Sequence, residues 1–195
     1  MTLTKVLPQV EAALLELPKG LRDHVQRVRE LALELAEPLH VDAAKVDFAA
    51  AAHDLARALT PEALLAEARR LGITPDAVEE AAPILLHGPI AAERLRQQLG
   101  IDDDEVLEAV RYHTTARAGL GPVGQAVFLA DKLERDKVAY RPALAGVRSL
   151  AAPSPAKAIA ACLTEELASL LRRGMLLHPT AVEARNYYLG LTGPG

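Results

Sequence analysis

Apolar side chains recur at intervals of three and four residues along the chain, and this spacing restricts the fold more than any other feature. The segment LRDHVQRVRELALELAEPL, residues 21–39, is one example. Such a period places apolar side chains on one face of an α-helix, whereas a half-buried strand needs strict alternation. Alanine, leucine, glutamate and arginine are abundant, and aromatic residues make up only 3% of the chain. The sequence therefore predicts an all-α fold.

Glycine and proline divide the chain into helices of about 10–18 residues. Thr60 before Pro61 and Thr74 before Pro75 are typical helix starts, in which the threonine hydroxyl caps the first turn. The acidic residues 102–104 also precede a helical pattern, so they are predicted to accept hydrogen bonds from first-turn amides. They need no metal ion.

The chain shows no repeat of fixed period and no long low-complexity linker. Glycine and proline cluster most densely in RPALAGVRSLAAPSPAKA, residues 141–158. We interpret this segment as a loop within one domain. A single domain over residues 1–195 is the expectation for a chain of this length.

Charge and cysteine content limit the partners and the compartment. The formal net charge of −4 argues against a nucleic-acid-binding surface, which needs clustered basic residues. The one cysteine, Cys162, cannot form a disulfide within the chain and is expected to be a small core residue. Since we find no basic leader and no long apolar run, we expect a cytoplasmic protein without a membrane partner. Helices rich in alanine and leucine are also compatible with a homodimer.

The stretch FAAAAHDLARAL, residues 48–59, places His53 and Asp54 in the middle of an apolar run. Similar polar residues interrupt other apolar helices: His24, His87, His113 and Asp131. Burying this many imidazoles and carboxylates without partners would cost several kcal/mol. Divalent first-row metal ions would satisfy them, because imidazole nitrogens and carboxylate oxygens are natural ligands of such ions.

The spacing of these residues favours a helical bundle over a zinc finger. Successive gaps from His24 to His53, Asp54 to His87, His87 to His113 and His113 to Asp131 are 29, 33, 26 and 18 residues. Such gaps suit separate helices that each send one ligand into a shared interior. Six ligands exceed what one ion with an open position needs, so two ions are the more natural number.

The ordered pattern H…HD…H…H…D resembles the HD-domain superfamily of metal-dependent phosphohydrolases. The phrases LLHGP, YHTTAR, FLADKLE and LLHPTAVEARNYYL resemble the YqeK family within it, the HD-type symmetrical bis(5′-nucleosyl)-tetraphosphatases. The resemblance covers about residues 18–189. It implies an all-α HD-domain helical bundle with a buried binuclear metal site, usually described as di-iron; Mn or another first-row metal would also suit the ligands. The metal core would span about residues 18–140, and C-terminal helices over about 155–190 would pack on it.

The resemblance also implies an activity, the hydrolysis of diadenosine tetraphosphate to two molecules of ADP. It implies one ion held by His24, His53, Asp54 and Asp131 and a second held by Asp54, His87 and His113, with Asp54 as the bridge. We assign catalytic roles to Asp54, His87 and Arg57. Family members often carry lysine at the position of Arg57.

A tetraphosphate needs further cations and hydrogen-bond donors beside the metals. Helical spacing of three or four residues places arginines on the same side as a ligand. The predicted substrate contacts are Arg27, Arg57, Gly88, Thr114, Arg117 and Lys132. Gly88 would allow close approach of its backbone to a phosphate.

Three other functions compete with this interpretation. The chain could be another HD-domain nucleotide phosphohydrolase, such as a nucleotidase, a deoxynucleotide hydrolase or a phosphodiesterase. It could be a nucleotide-binding regulatory module without turnover, or a helical scaffold without metal. In the C-terminal phrase, His178 is interpreted as structural and Thr180 as the N-cap of the last helix.

Overall fold

Helices carry all the regular secondary structure of residues 2–193, which are the residues that the computed structural model describes. The all-α prediction is confirmed. The elements are α1 (Leu3–Leu15), α2 (Lys19–Ala36), α3 (Ala43–Ala52), α4 (Pro61–Arg70), α5 (Ala77–Ala81), the 3₁₀ helix η1 (Pro83–Leu86), α6 (His87–Leu99), α7 (Asp104–Tyr112), α8 (Pro122–Leu133), α9 (Arg135–Tyr140), the 3₁₀ helix η2 (Pro142–Leu144), α10 (Ala145–Arg148), α11 (Pro155–Arg172) and α12 (Pro179–Thr192).

The alanine run of α3 lies at the centre of the molecule. Residues 49–52 are completely buried, and α3 packs against α2, α7 and α8. Side chains this small let neighbouring helix backbones approach closely, so larger residues here would overpack the core. The main apolar cluster extends from Val6 in α1 to Tyr188 in α12. The C-terminal helices α11 and α12 therefore share one core with the N-terminal helices.

Two of the predicted helix starts are confirmed. The hydroxyl of Thr60 accepts a hydrogen bond from the amide of Ala63 at the start of α4. At the start of α7, the carboxylate of Asp103 accepts from the amides of Glu105 and Val106.

Two other predicted caps are wrong. Asp76, not Thr74, caps α5, because Asp76 and Glu79 form a reciprocal capping box that satisfies two first-turn amides and the amide of Asp76 itself. His178, not Thr180, caps α12, since its Nδ1 accepts from the amide of Thr180.

The segment 141–158 is more ordered than the loop we expected, because η2 and α10 lie within it and α11 begins at Pro155. Pro142 and Pro155 each occupy a first-turn position, where the missing amide hydrogen costs nothing. Proline here starts helices instead of excluding them. Among the described residues, no helix combines the length and the apolar content that a bilayer span requires.

Candidate metal centre

Six polar side chains from five packed segments meet at one cleft. Five of the six residues singled out as ligands line its floor, and the sixth, His53, is fully buried beside Asp54 and Asp131. His24 comes from α2, His53 and Asp54 follow the end of α3, His87 begins α6, His113 follows α7, and Asp131 lies on α8. All except His24 are buried, with exposures of 5% or less. Tertiary packing of the helices therefore brings together residues that are up to 107 positions apart.

Three of the histidines are fixed in the orientation that a metal ligand needs. His53 and His113 direct Nδ1 at backbone carbonyl oxygens at 2.7 and 2.8 Å, and His87 makes the equivalent contact. The acceptors are the carbonyl groups of Ala50, Val110 and Ile84, each three residues earlier. Since Nδ1 carries the donated hydrogen, the lone pair of the neutral ring lies on Nε2, which points into the centre.

Burial also keeps two of these rings neutral. Burial lowers the pKa of His53 against the opposing pull of Asp54 and Asp131. It lowers the pKa of His113 to about 4. Neutral imidazole is the form that binds a metal ion, so both rings are ready as ligands at neutral pH.

Asp54 lies between two groups of histidines. Its Oδ2 is 3.5 Å from Nε2 of His53 and 3.8 Å from Nε2 of His24. Its Oδ1 is 3.1 Å from Nε2 of His87 and 3.5 Å from Nε2 of His113. The carboxylate of Asp54 thus presents one oxygen to each group.

The chemistry of this donor set fits divalent cations. Nε2 of His53 is fully buried and has no hydrogen-bond partner, which is costly for a lone pair. Nε2 of His87 lies 2.8 Å from Nε2 of His113, although both atoms are acceptors once Nδ1 donates. The ligand atoms of His24, His53 and Asp131 lie within 4.8 Å of one another, as do those of His53, Asp54 and His113. A cation coordinated by these atoms removes both costs.

Glu134 is a further member of the site that the sequence interpretation missed. It is 2% exposed, and its Oε1 lies 3.4 Å from Nδ1 of His24. Arg27 Nε donates to Glu134 Oε2 at 2.6 Å, and the guanidinium also lies 3.2 Å from Asp136. Burial would raise the pKa of Glu134, but Arg27 keeps it below its usual value. Glu134 stands three residues after Asp131 in the phrase FLADKLE, and this helical spacing was the available signal.

The predicted substrate contacts divide into two groups. Arg57, Thr114 and Lys132 line the cleft. Thr114 Oγ1 lies 3.0 Å from Nε2 of His113 and 3.3 Å from Nε2 of His87. Lys132 Nζ lies 3.2 Å from Asp131 Oδ2.

The other three predicted contacts, Arg27, Gly88 and Arg117, are not among the residues that line this cleft. Arg27 is held by Glu134. Arg117 pairs with Glu108, because α7 ends at Tyr112 and the left-handed φ of 54° at Ala116 breaks the helical spacing from His113. Gly88 is buried inside α6, where an added Cβ would lie 2.8 Å from the carbonyl oxygen of Arg111.

The cleft has a volume of about 720 Å³ and a basic wall beside the metal ligands. Lys137 Nζ lies 2.6 Å from Asp131 Oδ1, and Arg141 also lines the cleft. Neither residue was predicted, because only the tertiary arrangement of α9 and of the turn after it brings them to the cleft. Burial would raise the pKa of Asp131, but Lys137, Lys132 and His24 hold it well below its usual value. The basic wall suits an anionic ligand.

Known proteins share this architecture. A Staphylococcus aureus protein named symmetrical bis(5′-nucleosyl)-tetraphosphatase is 29% identical over 175 residues, which cover 89% of each chain. A protein of the same name from Halalkalibacterium halodurans is 29% identical over 85% of this chain and 87% of its own. A crystal structure from Clostridium acetobutylicum, described as a predicted HD superfamily hydrolase involved in NAD metabolism, has a TM-score of 0.89 and 25% identity, and covers 95% of this chain and 97% of its own.

The conserved-sequence profile of the HD domain matches residues 21–136, which include all six histidine and aspartate positions of the candidate metal centre. The chain belongs to the HD domain family.

Proposed function

We propose that this protein is a metal-dependent hydrolase that cleaves diadenosine tetraphosphate symmetrically into two molecules of ADP. The observation that carries the proposal is the position of Asp54, whose two oxygens face two histidine groups at the floor of a cleft with a basic wall. We infer the substrate from the relatives, which are named symmetrical bis(5′-nucleosyl)-tetraphosphatase.

The proposal assigns one divalent ion to His24, His53, Asp54 and Asp131, and a second to Asp54, His87 and His113. Fe is the proposed metal, and Mn or another first-row metal fits the same ligands. Two such ions, when bound, supply an activated water and neutralise phosphate oxygens.

The chain's own side chains would bind and orient the phosphates. Lys132 and Lys137 lie at the metal ligands, and Arg57 lines the same cleft. The hydroxyl of Thr114, beside His87 and His113, would donate a hydrogen bond to a phosphate oxygen. His87 and Asp54 would hold their positions at the reacting phosphate through the metal ions that they bind. Arg57 would neutralise negative charge on the oxygens of that phosphate. Arg27 would support His24 through Glu134 and would not contact substrate.

Product analysis tests this function. The purified protein loaded with Fe²⁺ or Mn²⁺ is incubated with diadenosine tetraphosphate, and the products are separated by ion exchange. We expect ADP alone. AMP together with ATP would overturn symmetrical cleavage, and a strong preference for a mononucleotide in a substrate panel would identify another HD-domain nucleotide phosphohydrolase.

Arg57→Ala tests the phosphate contact against Arg69→Ala, which alters an exposed arginine of α4 that does not line the cleft. We expect Arg57→Ala to lower kcat/KM by about 10- to 100-fold, since it removes a charged contact to phosphate. Arg69→Ala should leave kcat/KM unchanged. Equal values for both variants would remove Arg57 from the proposed site.

A further inference from the structure

The cleft continues beyond the metal centre into an apolar half. Apolar side chains that lie together on a protein surface, unlike single scattered ones, are typical of a binding groove. Four exposed large apolar side chains border this cleft: Ile84, Tyr140, Met175 and Leu176. They are joined there by Leu144, Leu163, Leu167 and Leu170.

Residues of helix α11 line the cleft along its length. Cys162, Glu166 and Leu170 follow one another at four-residue intervals and all line the cleft. Their spacing places them on one face of the helix, over about 12 Å. Helix α11 packs against α8, and Cys162 lines the cleft together with Asp131 and Lys132 of α8.

Glu166 lies one turn further along α11 and contacts Arg141. Arg141 lines the cleft with Lys132 and Lys137, so the basic wall reaches this level of the cleft. Leu170 is one more turn away, next to the segment that carries Met175 and Leu176. The order along the cleft is therefore metal ligands, basic side chains, Glu166 and an apolar end.

A nucleoside polyphosphate has parts that match this order: phosphates at one end, then the sugar, then the base. Terminal phosphates suit the metal ligands, and the remaining phosphates suit Lys132, Lys137 and Arg141. A carboxylate such as Glu166 repels phosphate but accepts hydrogen bonds from sugar hydroxyls. The planar, apolar face of a base suits leucine side chains and the ring of Tyr140.

We propose that the apolar end of the cleft, formed by Tyr140, Leu167, Leu170, Met175 and Leu176, binds the nucleobase of a nucleoside polyphosphate whose phosphates lie at the metal centre. This inference rests on the proposed function. These residues all lie beyond residue 136, outside the part of the chain that the HD domain profile matches. The shared HD core supplies the chemistry, and the C-terminal helices supply recognition of the nucleoside.

Binding of ADP and of inorganic tripolyphosphate to the Mn²⁺-loaded protein tests the inference by calorimetry. Leu170→Gln removes an apolar contact inside the cleft, and Leu171→Gln is its matched control, because Leu171 is the next residue of α11, is 64% exposed and does not line the cleft. Tyr140→Ala is a second test variant, at a side chain that is 86% exposed and not required for packing.

We expect Leu170→Gln and Tyr140→Ala to weaken ADP binding by about tenfold, the effect of losing one base contact. Tripolyphosphate binding should stay within about twofold, and Leu171→Gln should change neither affinity. Unchanged ADP affinity in both test variants would overturn the inference, as would an equal loss of tripolyphosphate binding. If the wild type binds ADP in this selective way but leaves diadenosine tetraphosphate intact, the proposed function fails and the nucleobase site stands.

Discussion

The orientation of the buried histidines depends on single backbone atoms. His113 donates from Nδ1 to the carbonyl oxygen of Val110, at 2.8 Å, and that oxygen faces Gly88 of α6. Gly88 makes this approach possible, because its missing Cβ would lie 3.0 Å from the oxygen of Val110 and 3.2 Å from Cε1 of His113. The absence of a side chain at Gly88 therefore leaves the room that the ring of His113 needs in this position.

Gly88→Ala should damage the metal centre and the fold together. The new methyl group would push α7 from α6, at a cost of about 1–3 kcal/mol in the free energy of unfolding. We expect metal affinity to fall by about tenfold or more as His113 moves. Denaturant unfolding and metal titration measure both effects.

Gly190→Ala is the control, since nothing lies within 4 Å of a Cβ at that position of α12. Its unfolding free energy should stay the same or rise by about 0.5–1 kcal/mol, as for alanine replacing glycine inside a helix. A Gly88→Ala protein that binds metal as tightly as the wild type would contradict the packing role.

Glu134→Gln tests the carboxylate behind His24. Glutamine keeps the shape but removes the charge that holds His24 Nδ1 and Arg27 in place. Loss of such an outer contact typically weakens metal binding by about 10- to 100-fold, and we expect this range from competition with a chelator. Glu34→Gln, an exposed change on α2, should leave the affinity unchanged. Equal affinities for both variants would show that His24 needs no support from Glu134.

At the level of secondary structure, two histidines of the candidate metal centre stand directly after helix ends. His53 follows the last residue of α3, and His113 follows the last residue of α7. Carbonyl groups in the last turn of a helix lack an intrahelical partner. The bonds from the two rings to Ala50 and Val110 satisfy such carbonyl groups and fix the ring tautomer at the same time. One hydrogen bond thus ends the helix and prepares the ligand.

Sequence periodicity was sufficient for the helical class and for finding the six polar residues that the structure brings together, because buried polar residues in apolar helices are conspicuous. It failed where local geometry departs from helical spacing. The left-handed Ala116 redirects Arg117, and the capping box of α5 replaces the cap expected from Thr74. It also missed Lys137, since only the tertiary arrangement of α9 brings that side chain to Asp131.

Helices α5 and α12 are joined by His178 at the rim of the cleft. Nδ1 of His178 accepts from the amide of Thr180, so the hydrogen of the neutral ring is on Nε2, which lies 3.5 Å from Asp76 and 3.8 Å from Glu79. The nearby carboxylate of Glu79 raises the pKa of His178, with further support from the carboxylates of Asp76 and Glu183. The protonated ring therefore stabilises the contact between the two helices.

His178→Asn should remove this stabilisation while keeping the helix cap, because asparagine is a favourable N-cap residue. Since the folded-state pKa lies above the reference value of 6.5, the contribution is fully present below pH 6.5 and disappears as the pH rises through the folded-state pKa. We expect the variant to lose about 0.5–1 kcal/mol at pH 6 and nothing at pH 9, as a partly exposed ion pair would. Thermal unfolding at both pH values measures the difference.

A loss of the same size at pH 6 and pH 9 would contradict the ionic contact. His40→Asn is the control for removal of a histidine, because His40 is exposed and belongs neither to the candidate metal centre nor to the contact between α5 and α12. The difference in stability between His40→Asn and the wild type should be the same at pH 6 and pH 9, whereas that of His178→Asn should be present only at pH 6.

For the whole molecule, the candidate metal centre lies where five segments of the HD domain meet. Residues at α2, α3 and α8 contribute one group of candidate ligands, and residues at α6 and α7 contribute the other. Asp54 contacts both groups, so it couples the two ends of the centre. Ions that bind only the folded chain stabilise it by mass action, and here they would stabilise the helices that share the main apolar cluster.

Metal removal should therefore lower the Tm of the protein. One ion present at 100 times its Kd contributes about 2.7 kcal/mol, which corresponds to about 5–10 °C for a chain of this size. We expect at least this loss on adding EDTA, measured by calorimetry with the metal content determined in parallel. Asp54→Ala should lose both ions and show no response to EDTA, whereas Asp104→Ala, at an exposed carboxylate of α7, should respond like the wild type. If Asp54→Ala kept two ions per chain, Asp54 would not bridge them, and if EDTA left the wild-type Tm unchanged, the helices would form this core without metal.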